Sequence, residues 1–302
     1  MPKFTIKNYG FGGIMKKNLM LAISACLTLA VFAADFHNYA PIKGDIKSCT
    51  ETEFSIASKF GSYFRTPSKK LTRTFDAKGK VIASSELTPR DTVLNTITYA
   101  YKENGKLAEK LCTNADGESV WKNVYTYNKE GLKADMSEYD GKGNLKDRTI
   151  YIYDNGLLVD ETDYDGDGVL IWKTVYKYNS AGKIETVYQY NNDGSLSERK
   201  DYTYTESGLI DTVSTYETFN GSIVQVLYRY ASGSSVLNEL TTYNSAKQII
   251  GRVIFKYDET GNLAKVSEYS VAEKFGTTVN ELIGMYEYTY DFNESDVAEI
   301  PE

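Results

Sequence analysis

Residues 176–202 read YKYNSAGKIETVYQYNNDGSLSERKDY, and this segment indicates the secondary structure of most of the chain. Two short polar clusters end at Gly182 and Gly194, and a run of alternating residues follows each of them. Glycine readily adopts the positive φ that tight hairpin turns need. Alternation of side chains is typical of β-strands. The segment therefore predicts two antiparallel strands joined by short turns.

The same unit recurs along the chain with a nearly fixed period. Tyr-x-Tyr pairs and a second tyrosine series both return every 25 to 27 residues. The pairs are Tyr99/Tyr101, Tyr125/Tyr127, Tyr151/Tyr153, Tyr176/Tyr178, Tyr202/Tyr204 and Tyr228/Tyr230, with Phe255/Tyr257 as a relative, and the second series is Tyr139, Tyr164, Tyr190, Tyr216, Tyr243 and Tyr269. Such a period is typical of stacked copies of one supersecondary unit. We predict about eight two-strand units over residues 71–292, roughly sixteen strands of about 6–9 residues.

Alternation within the strands indicates which face is apolar. Trp172 and Tyr176 share one face of their strand, whereas Lys173 and Lys177 lie on the other. A sheet of about sixteen strands is too large to lie flat, because twist accumulates from strand to strand. The predicted fold is therefore all-β, a repetitive antiparallel β-meander that forms one curved or wrapped sheet with the aromatic face inward.

The N-terminal residues predict export. Residues 1–33 combine lysines with an apolar run and end in small residues, which is typical of a signal peptide, and Met15 fits as the true start. A lipobox with an acylated Cys26 is the alternative, but the apolar run continues past Cys26, which favours ordinary cleavage. The expected location is the periplasm, the outer surface or the extracellular space. No apolar segment is long enough to predict a transmembrane helix.

The regions that flank the repeats have separate predictions. Residues 34–70 are expected to form an N-terminal cap or linker, with a short helix over 51–64 where the apolar residues have helical spacing. Residues 293–302 form an acidic tail that is expected to fray.

Charge and cysteine content limit the partners. Removal of residues 1–33 removes four lysines and no acidic residue, which leaves 30 basic against 41 acidic residues, a net charge of −11. Such a chain repels polyanions, so nucleic acid is not an expected partner. Two cysteines remain, Cys49 and Cys112. In an oxidising compartment they could form a disulfide, and two reduced thiols are the alternative.

One repeat resembles a known bacterial motif. The stretch 255–263, Phe-Lys-Tyr-Asp-Glu-Thr-Gly-Asn-Leu, resembles the YD repeat of RHS-type surface and toxin-shell proteins, and stretches 176–184 and 99–107 look similar. The arginine that commonly follows the glycine in that family is Lys183 in one of these copies. The resemblance implies an exported, β-rich surface that contacts carbohydrate or protein. MORN-like antitoxin repeats and single-layer spirochaete surface sheets share the same hairpin-and-tyrosine pattern.

The aromatic ladder is the first candidate site. Aromatic faces pack against the apolar faces of sugar rings, and tyrosine adds a polar hydroxyl. The candidate platform consists of Trp121, Trp172, Tyr125, Tyr151, Tyr176 and Tyr202. A purely structural ladder is the favoured alternative, because cross-strand aromatic pairs stabilise a sheet by themselves.

The second candidate site is a calcium loop. Asp163, Asp165 and Asp167 alternate and are followed by Gly168, as in the first half of an EF-hand loop. The twelfth position of that loop, where an EF-hand has a glutamate, is Thr174. A hairpin turn is the alternative, and no other cofactor is expected.

Catalysis is not expected. The chain has one histidine, His37, which argues against a histidine-based triad. We therefore expect a non-enzymatic, exported scaffold that binds a glycan or another envelope or surface protein. A toxin-neutralising protein and a purely structural surface protein are the alternatives.

Overall fold

A computed structural model describes residues 35–59, 62–274 and 276–293 of the chain. It contains one short 3-10 helix, Phe36–Asn38, and eighteen strands. The strands are β1 Ile46–Lys59, β2 Ser62–Phe75, β3 Val81–Leu87, β4 Val93–Tyr101, β5 Leu107–Asn114, β6 Ser119–Tyr127, β7 Lys133–Asp140, β8 Leu145–Asp154, β9 Leu157–Asp165, β10 Leu170–Tyr178, β11 Ile184–Asn191, β12 Leu196–Tyr204, β13 Ile210–Glu217, β14 Ile223–Tyr230, β15 Leu237–Tyr243, β16 Ile249–Tyr257, β17 Leu263–Lys274 and β18 Thr277–Phe292.

The strands form one antiparallel meander. All eighteen belong to a single sheet, and strands that follow each other in the chain pair side by side, as β2 does with β3 and β17 with β18. The first strand, β1, pairs with β2 on one side and with β18 on the other. The strand order is therefore cyclic, and the sheet closes on itself through the β1–β18 pairing. The prediction of an all-β meander in a single wrapped sheet is confirmed.

The count of strands is close to the prediction, but β1 and most of β2 were missed. The predicted range 71–292 begins inside β2 and ends with β18, so it contains the end of β2 and the sixteen strands β3–β18. The prediction of a short helix over 51–64 is wrong, since the described residues of this stretch lie in β1 and β2. Here Glu51 pairs with Leu71 of β2 and with Tyr288 of β18. Backbone pairing on both sides of β1 outweighs the helical spacing of its few apolar residues.

The predictions for the two ends of the chain lie outside the described residues. These are the signal peptide over residues 1–33, Met15 as the first residue, the alternative at Cys26 and the tail after Asn293. They remain predictions from the sequence.

The second tyrosine of each pair fixes the register of its hairpin. Four of these hydroxyls donate to a backbone carbonyl 20 residues earlier, at distances of 2.6–2.8 Å: Tyr127 to Leu107, Tyr178 to Leu158, Tyr230 to Ile210 and Tyr257 to Leu237. At the same four tyrosines the pairing with the next strand shifts by a bulge. The tyrosine thus ties the end of one strand to the beginning of the previous one beside an irregularity of the ladder.

Asparagine and aspartate side chains close many of the turns. Asp140 Oδ1 accepts the backbone N–H groups of Lys142 and Asn144, both at 2.9 Å. The glycine of that turn, Gly143, has φ of 85°, a conformation that other residues rarely adopt. The polar clusters that predicted turns are therefore turns with this geometry.

The contacts divide the chain into two units. Unit 1 comprises residues 100–201 and 216–221, and unit 2 comprises residues 35–99, 202–215 and 222–302, of which the structure describes the ranges given above. The most buried side chains of unit 2 are both apolar and polar, and each is at most 2 % exposed: Leu240, Val253, Leu263, Val266, Met285, Asn262, Thr241 and Thr242. Unit 1 buries Trp121, Asn123, Thr149, Asp163 and Trp172.

Within the described part of the chain, no helix is long and apolar enough to cross a membrane.

Candidate functional site

The candidate site lies on one face of the central strands of unit 1. Side chains of β6, β8, β9 and β10 project to this face because alternate residues of a strand share a side, and the register aligns Thr149 with Asp163 and Asp163 with Trp172. We call it the unit 1 aromatic face and define it by Trp121, Asn123, Tyr125, Thr149, Tyr151, Glu161, Asp163, Trp172 and Tyr176. It combines aromatic rings with buried carboxylate and amide groups.

Asp163 is the centre of a hydrogen-bonded group. Its side chain is 5 % exposed. One carboxylate oxygen accepts the hydroxyl of Thr149, and the other accepts the indole N–H of Trp172. Two charge-assisted bonds hold the carboxylate and the indole ring in fixed orientations. The Trp172 ring is therefore a positioned element of this face.

The neighbouring tyrosines are held by a second carboxylate. The Tyr176 hydroxyl donates to Glu161 Oε2 at 2.9 Å. Burial is the main cause that raises the pKa of Tyr151 well above its usual value, and the negative charges of Glu161 and Asp163 raise it further. Lys133 Nζ lies 3.9 Å from the centre of the Tyr151 ring, a cation–π contact. The Tyr151 hydroxyl is therefore neutral at physiological pH.

Two buried polar atoms on this face have no hydrogen-bond partner among the described residues. They are the indole nitrogen Nε1 of Trp121 and the amide oxygen Oδ1 of Asn123. Trp121 is 6 % exposed and Asn123 is 2 % exposed, and they lie two residues apart on the same side of β6. An unsatisfied buried donor or acceptor costs about 1–3 kcal/mol. This cost disappears if a bound group supplies the missing partner.

A partly buried lysine lies on the strand next to Asn123. Lys110 of β5 pairs with Asn123 across the ladder. Burial lowers the pKa of the Lys110 ammonium group. The unit 1 aromatic face therefore places hydrogen-bond donors and acceptors of both charges beside its rings.

The structure brings together five of the six predicted platform residues. Trp121, Tyr125, Tyr151 and Trp172 are buried, and Tyr176 is partly buried, so the rings do not form an exposed surface. Tyr202 belongs to unit 2.

The three predicted calcium ligands have different positions and partners. Asp163 bonds Thr149 and Trp172 on the aromatic face. Asp165 Oδ1 accepts the backbone N–H groups of Asp167 and Val169 and so closes the hairpin turn. Asp167 is exposed. The described residues contain no group of three or more His, Cys, Asp or Glu side chains that could hold a metal ion. The calcium site remains a prediction of the sequence.

The two cysteines of the predicted disulfide are buried thiols in this structure. Cys112 pairs with Trp121 across β5 and β6, whereas Cys49 lies in β1. Their pairing in an oxidising compartment remains a prediction.

Unit 2 contains a partly buried polar cluster that the sequence did not predict. It lies where the residues before β1 pack on the sheet. Arg73 Nη2 lies 3.1 Å from Asp35 Oδ2 in an ion pair, and Cys49 Sγ lies 3.5 Å from His37 Nε2. Phe36 packs against Phe255 and Tyr286, and Tyr39 packs against Tyr228 and Phe255.

Burial shifts the groups of this cluster towards their neutral forms. Burial raises the pKa of Cys49 to about 12, more than the nearby Arg73 lowers it. Burial and then the charge of Arg73 lower the pKa of His37. Burial also raises the pKa of Glu51, whose carboxylate accepts the Tyr288 hydroxyl at 2.9 Å. A neutral thiol beside a neutral imidazole does not form the ion pair of a cysteine protease.

Sequence reasoning missed the polar members of both sites. Asn123 follows Trp121 by two residues, so strand alternation alone places both on one face. Polar residues usually lie on the solvated face of a sheet, so the sequence did not indicate that Asn123 and Asp163 belong to the buried face. The pairing of Arg73 with Asp35 joins residues far apart in sequence, and no local signal indicates it.

Comparisons with known proteins give only distant likenesses. No protein-family model matches the chain, and no curated protein matches it. A porin-like protein from Bacteroides uniformis matches with 10% identity and a TM-score of 0.46, over 82% of this chain and 98% of that one. A porin-like protein from Bacteroides vulgatus matches with 9% identity and a TM-score of 0.35, over 72% and 100% of the two chains. The TcdB2-TccC3-Cdc42 structure matches with 11% identity and a TM-score of 0.22, over 74% of this chain and 15% of that one.

These values are too low to assign a family or a function. The YD-repeat resemblance thus remains a prediction from its motifs.

Proposed function

We propose that this protein is an exported, non-enzymatic binding protein whose unit 1 aromatic face binds a neutral carbohydrate. The observation that carries the proposal is the pair of buried atoms without partners, Trp121 Nε1 and Asn123 Oδ1, among aromatic rings. Export is proposed from the leader-like sequence of residues 1–33.

The chemistry of the two atoms favours a hydroxyl-bearing ligand. The Trp121 indole offers an N–H donor, and the Asn123 oxygen is an acceptor. A hydroxyl group can accept from the first and donate to the second, and a sugar presents several hydroxyls together with apolar C–H faces. The rings of Trp172 and Tyr125 belong to the same face, and because both are buried, a sugar could pack its C–H faces on them only when this face opens.

Charge favours a neutral sugar over a polyanion. Buried or partly buried carboxylates on or next to the face include Glu161 and Asp163, and the whole chain carries more acidic than basic residues. A sulfated or phosphorylated ligand would be repelled. Carboxylates instead accept hydrogen bonds from sugar hydroxyls.

Binding of a toxin by strand addition has less support. This mode needs an exposed sheet edge, but β1 and β18, the strands that would be edges of an open meander, pair with each other. Among the described strands, the cyclic order leaves no edge for an added strand.

The test is a neutral-glycan array followed by calorimetry on the exported chain and two variants. Trp121→Phe keeps a ring and removes the N–H, and Asn123→Leu removes the acceptor. We expect each variant to bind at least about tenfold more weakly, the equivalent of about 1.4 kcal/mol for one lost hydrogen bond. Thermal unfolding should show that both variants remain folded at the temperature of the binding measurement.

The matched control is Tyr178→Phe, which removes a hydroxyl that bonds Leu158 O at the end of β10. It should bind like the natural chain. Absence of any neutral-glycan ligand would contradict the proposal, and so would an affinity of Trp121→Phe and Asn123→Leu equal to that of the natural chain. Reducing ends should not increase during the incubation, and an increase would contradict the non-enzymatic part.

A further inference from the structure

The side chain of Glu268 occupies the space left by a glycine on the next strand. Glu268 of β17 pairs with Gly284 of β18. A Cβ atom at residue 284 would collide with Glu268 Oε2. The absence of a side chain at Gly284 therefore allows the carboxyl group of Glu268 to lie over β18.

This carboxyl group is buried and incompletely hydrogen-bonded. Glu268 is 4 % exposed, and its Oε2 atom has no hydrogen-bond partner among the described residues. Burial raises the pKa of Glu268 to about 7, with a smaller contribution from the negative charge of Glu53. Protonation of this carboxyl group avoids the free-energy cost of burying a charge.

The surrounding strands supply little positive charge to Glu268. Val253 of β16 is its partner on one side, and on the other side β1 contributes Glu53, which pairs with Tyr286 of β18. Lys69 of β2 lies opposite Glu53 but forms an ion pair with Glu86 at 2.9 Å. From outside the strands, Phe36 packs on Tyr286 of β18, with the two ring centres 5.1 Å apart.

The position of Glu268 couples its charge to the closure of the sheet. β18 lies between β17 and β1, and the β1–β18 pairing makes the strand order cyclic. Glu268 and Glu53 thus lie on the two strands that flank β18. Repulsion between two negative groups across one strand acts directly on the β1–β18 pairing, which we call the seam.

We propose that Glu268 is a proton-binding site that controls the seam: the neutral acid keeps β1 and β18 paired, and loss of its proton places a second negative charge across β18 from Glu53 and weakens the pairing. The site binds a proton and needs no other ligand. Opening at the seam would also release the residues before β1, since Phe36 packs on β18.

The test is hydrogen exchange of the backbone amides of β1 and β18 at pH 5.5 and pH 8, expressed as protection factors that correct for the intrinsic rates. In the natural chain we expect protection of residues 46–54 and 285–292 to be at least about tenfold lower at pH 8. Glu268→Gln, which is isosteric and always neutral, should give equal protection at both values. Glu273→Gln changes an exposed residue of the same strand and should behave like the natural chain.

Equal protection of the natural chain at both pH values would overturn the proposal, as would a pH effect that persists in Glu268→Gln. A second measurement on the natural chain needs no variant. The infrared carbonyl band of a protonated carboxylic acid should be present at pH 5.5 and disappear with a midpoint near 7. Titration of every carboxyl group below pH 5.5 would also overturn it.

Discussion

Unit 1 and unit 2 repeat the same two-strand motif but bury different chemistry. Unit 2 buries the aliphatic Leu240, Val253, Leu263 and Val266 together with polar side chains such as Asn262 and Glu268. Unit 1 buries tryptophan, tyrosine, asparagine, threonine and aspartate, and among its described residues no leucine, isoleucine or valine is buried to that degree. The repeat therefore determines the strands and turns, while the buried side chains between the tyrosines are free to differ.

The first tyrosine series shows the same contrast. In unit 2, Tyr228 and Phe255 contact the chain's own Tyr39. In unit 1, the equivalent Tyr151 and Tyr176 lie beside Glu161 and its carboxylate. An aromatic ladder can thus serve as packing surface in one region and as part of a polar site in another.

The largest expected effect is on the packing of unit 2. Phe36→Ala removes a ring that is 2 % exposed and contacts Phe255 and Tyr286. We expect the free energy of unfolding to fall by about 3–5 kcal/mol, as for other buried phenylalanines. Urea denaturation measures it. Phe219→Ala, at a ring that is 87 % exposed in unit 1, should change stability by less than about 0.5 kcal/mol. Equal losses would show that Phe36 is not part of the core.

The next effect is the pH dependence that Glu268 gives to unit 2. Its pKa rises from 4.5 to about 7 on folding. Between these values the folded state binds more protons than the unfolded state, so stability is full below pH 4.5, falls as pH rises towards 7 and is level above it. The size is about 3 kcal/mol, since one pKa unit is about 1.4 kcal/mol. Urea titrations at several pH values should show this decline.

Glu268→Gln provides the control for that prediction. It should remove the decline and make the chain more stable than the natural one at pH 8. An unchanged slope in the variant would assign the decline to another group.

Within unit 1, two tryptophans with opposite hydrogen-bonding states can be compared directly. Trp172→Phe removes the N–H that Asp163 accepts and leaves a buried carboxylate with one partner fewer. Trp121→Phe removes an N–H that has no partner among the described residues. Both changes remove similar volume, so we expect Trp172→Phe to destabilise the protein by about 1–3 kcal/mol more. Thermal and urea unfolding measure the difference, and a larger loss for Trp121→Phe would contradict the assigned hydrogen bonds.

The smallest effect should be common to both units. Tyr178→Phe in unit 1 and Tyr257→Phe in unit 2 each remove a hydroxyl that donates to a carbonyl 20 residues earlier. We expect each to cost about 0.5–1.5 kcal/mol. Equal values would support a register role that is independent of the core, whereas a large difference would indicate that one tyrosine has a further role.

Most of the fold could be predicted because its signals are local. The tyrosine period and the glycine turns indicated the end of β2 and β3–β18, since each strand pairs with its neighbour in sequence. β1 was missed because it depends on β18, more than 200 residues away, as Cys49 with Tyr290 illustrates. No local pattern encodes such a partner.

The candidate site was predicted only in part for the same reason. Alternation placed Trp121 and Trp172 on one face. It did not indicate that Asp163 would bond Trp172 across the ladder, or that Asn123 would be buried without a partner for its oxygen. Hydrogen bonds between strands depend on register, and the bulges beside the tyrosines shift that register by single residues.

The cyclic strand order makes the two ends of the sheet neighbours. Ile46 at the start of β1 pairs with Phe292 at the end of β18, and the Asn293 backbone N–H donates to Asp45 O at 3.0 Å. The start of β1 and the end of β18 therefore lie side by side, like the two strand ends that each turn of the meander connects. The protein should therefore tolerate circular permutation: a chain opened at the exposed turn of Gly194 and joined between Asn293 and Asp35 by a short linker keeps both neighbours of every strand.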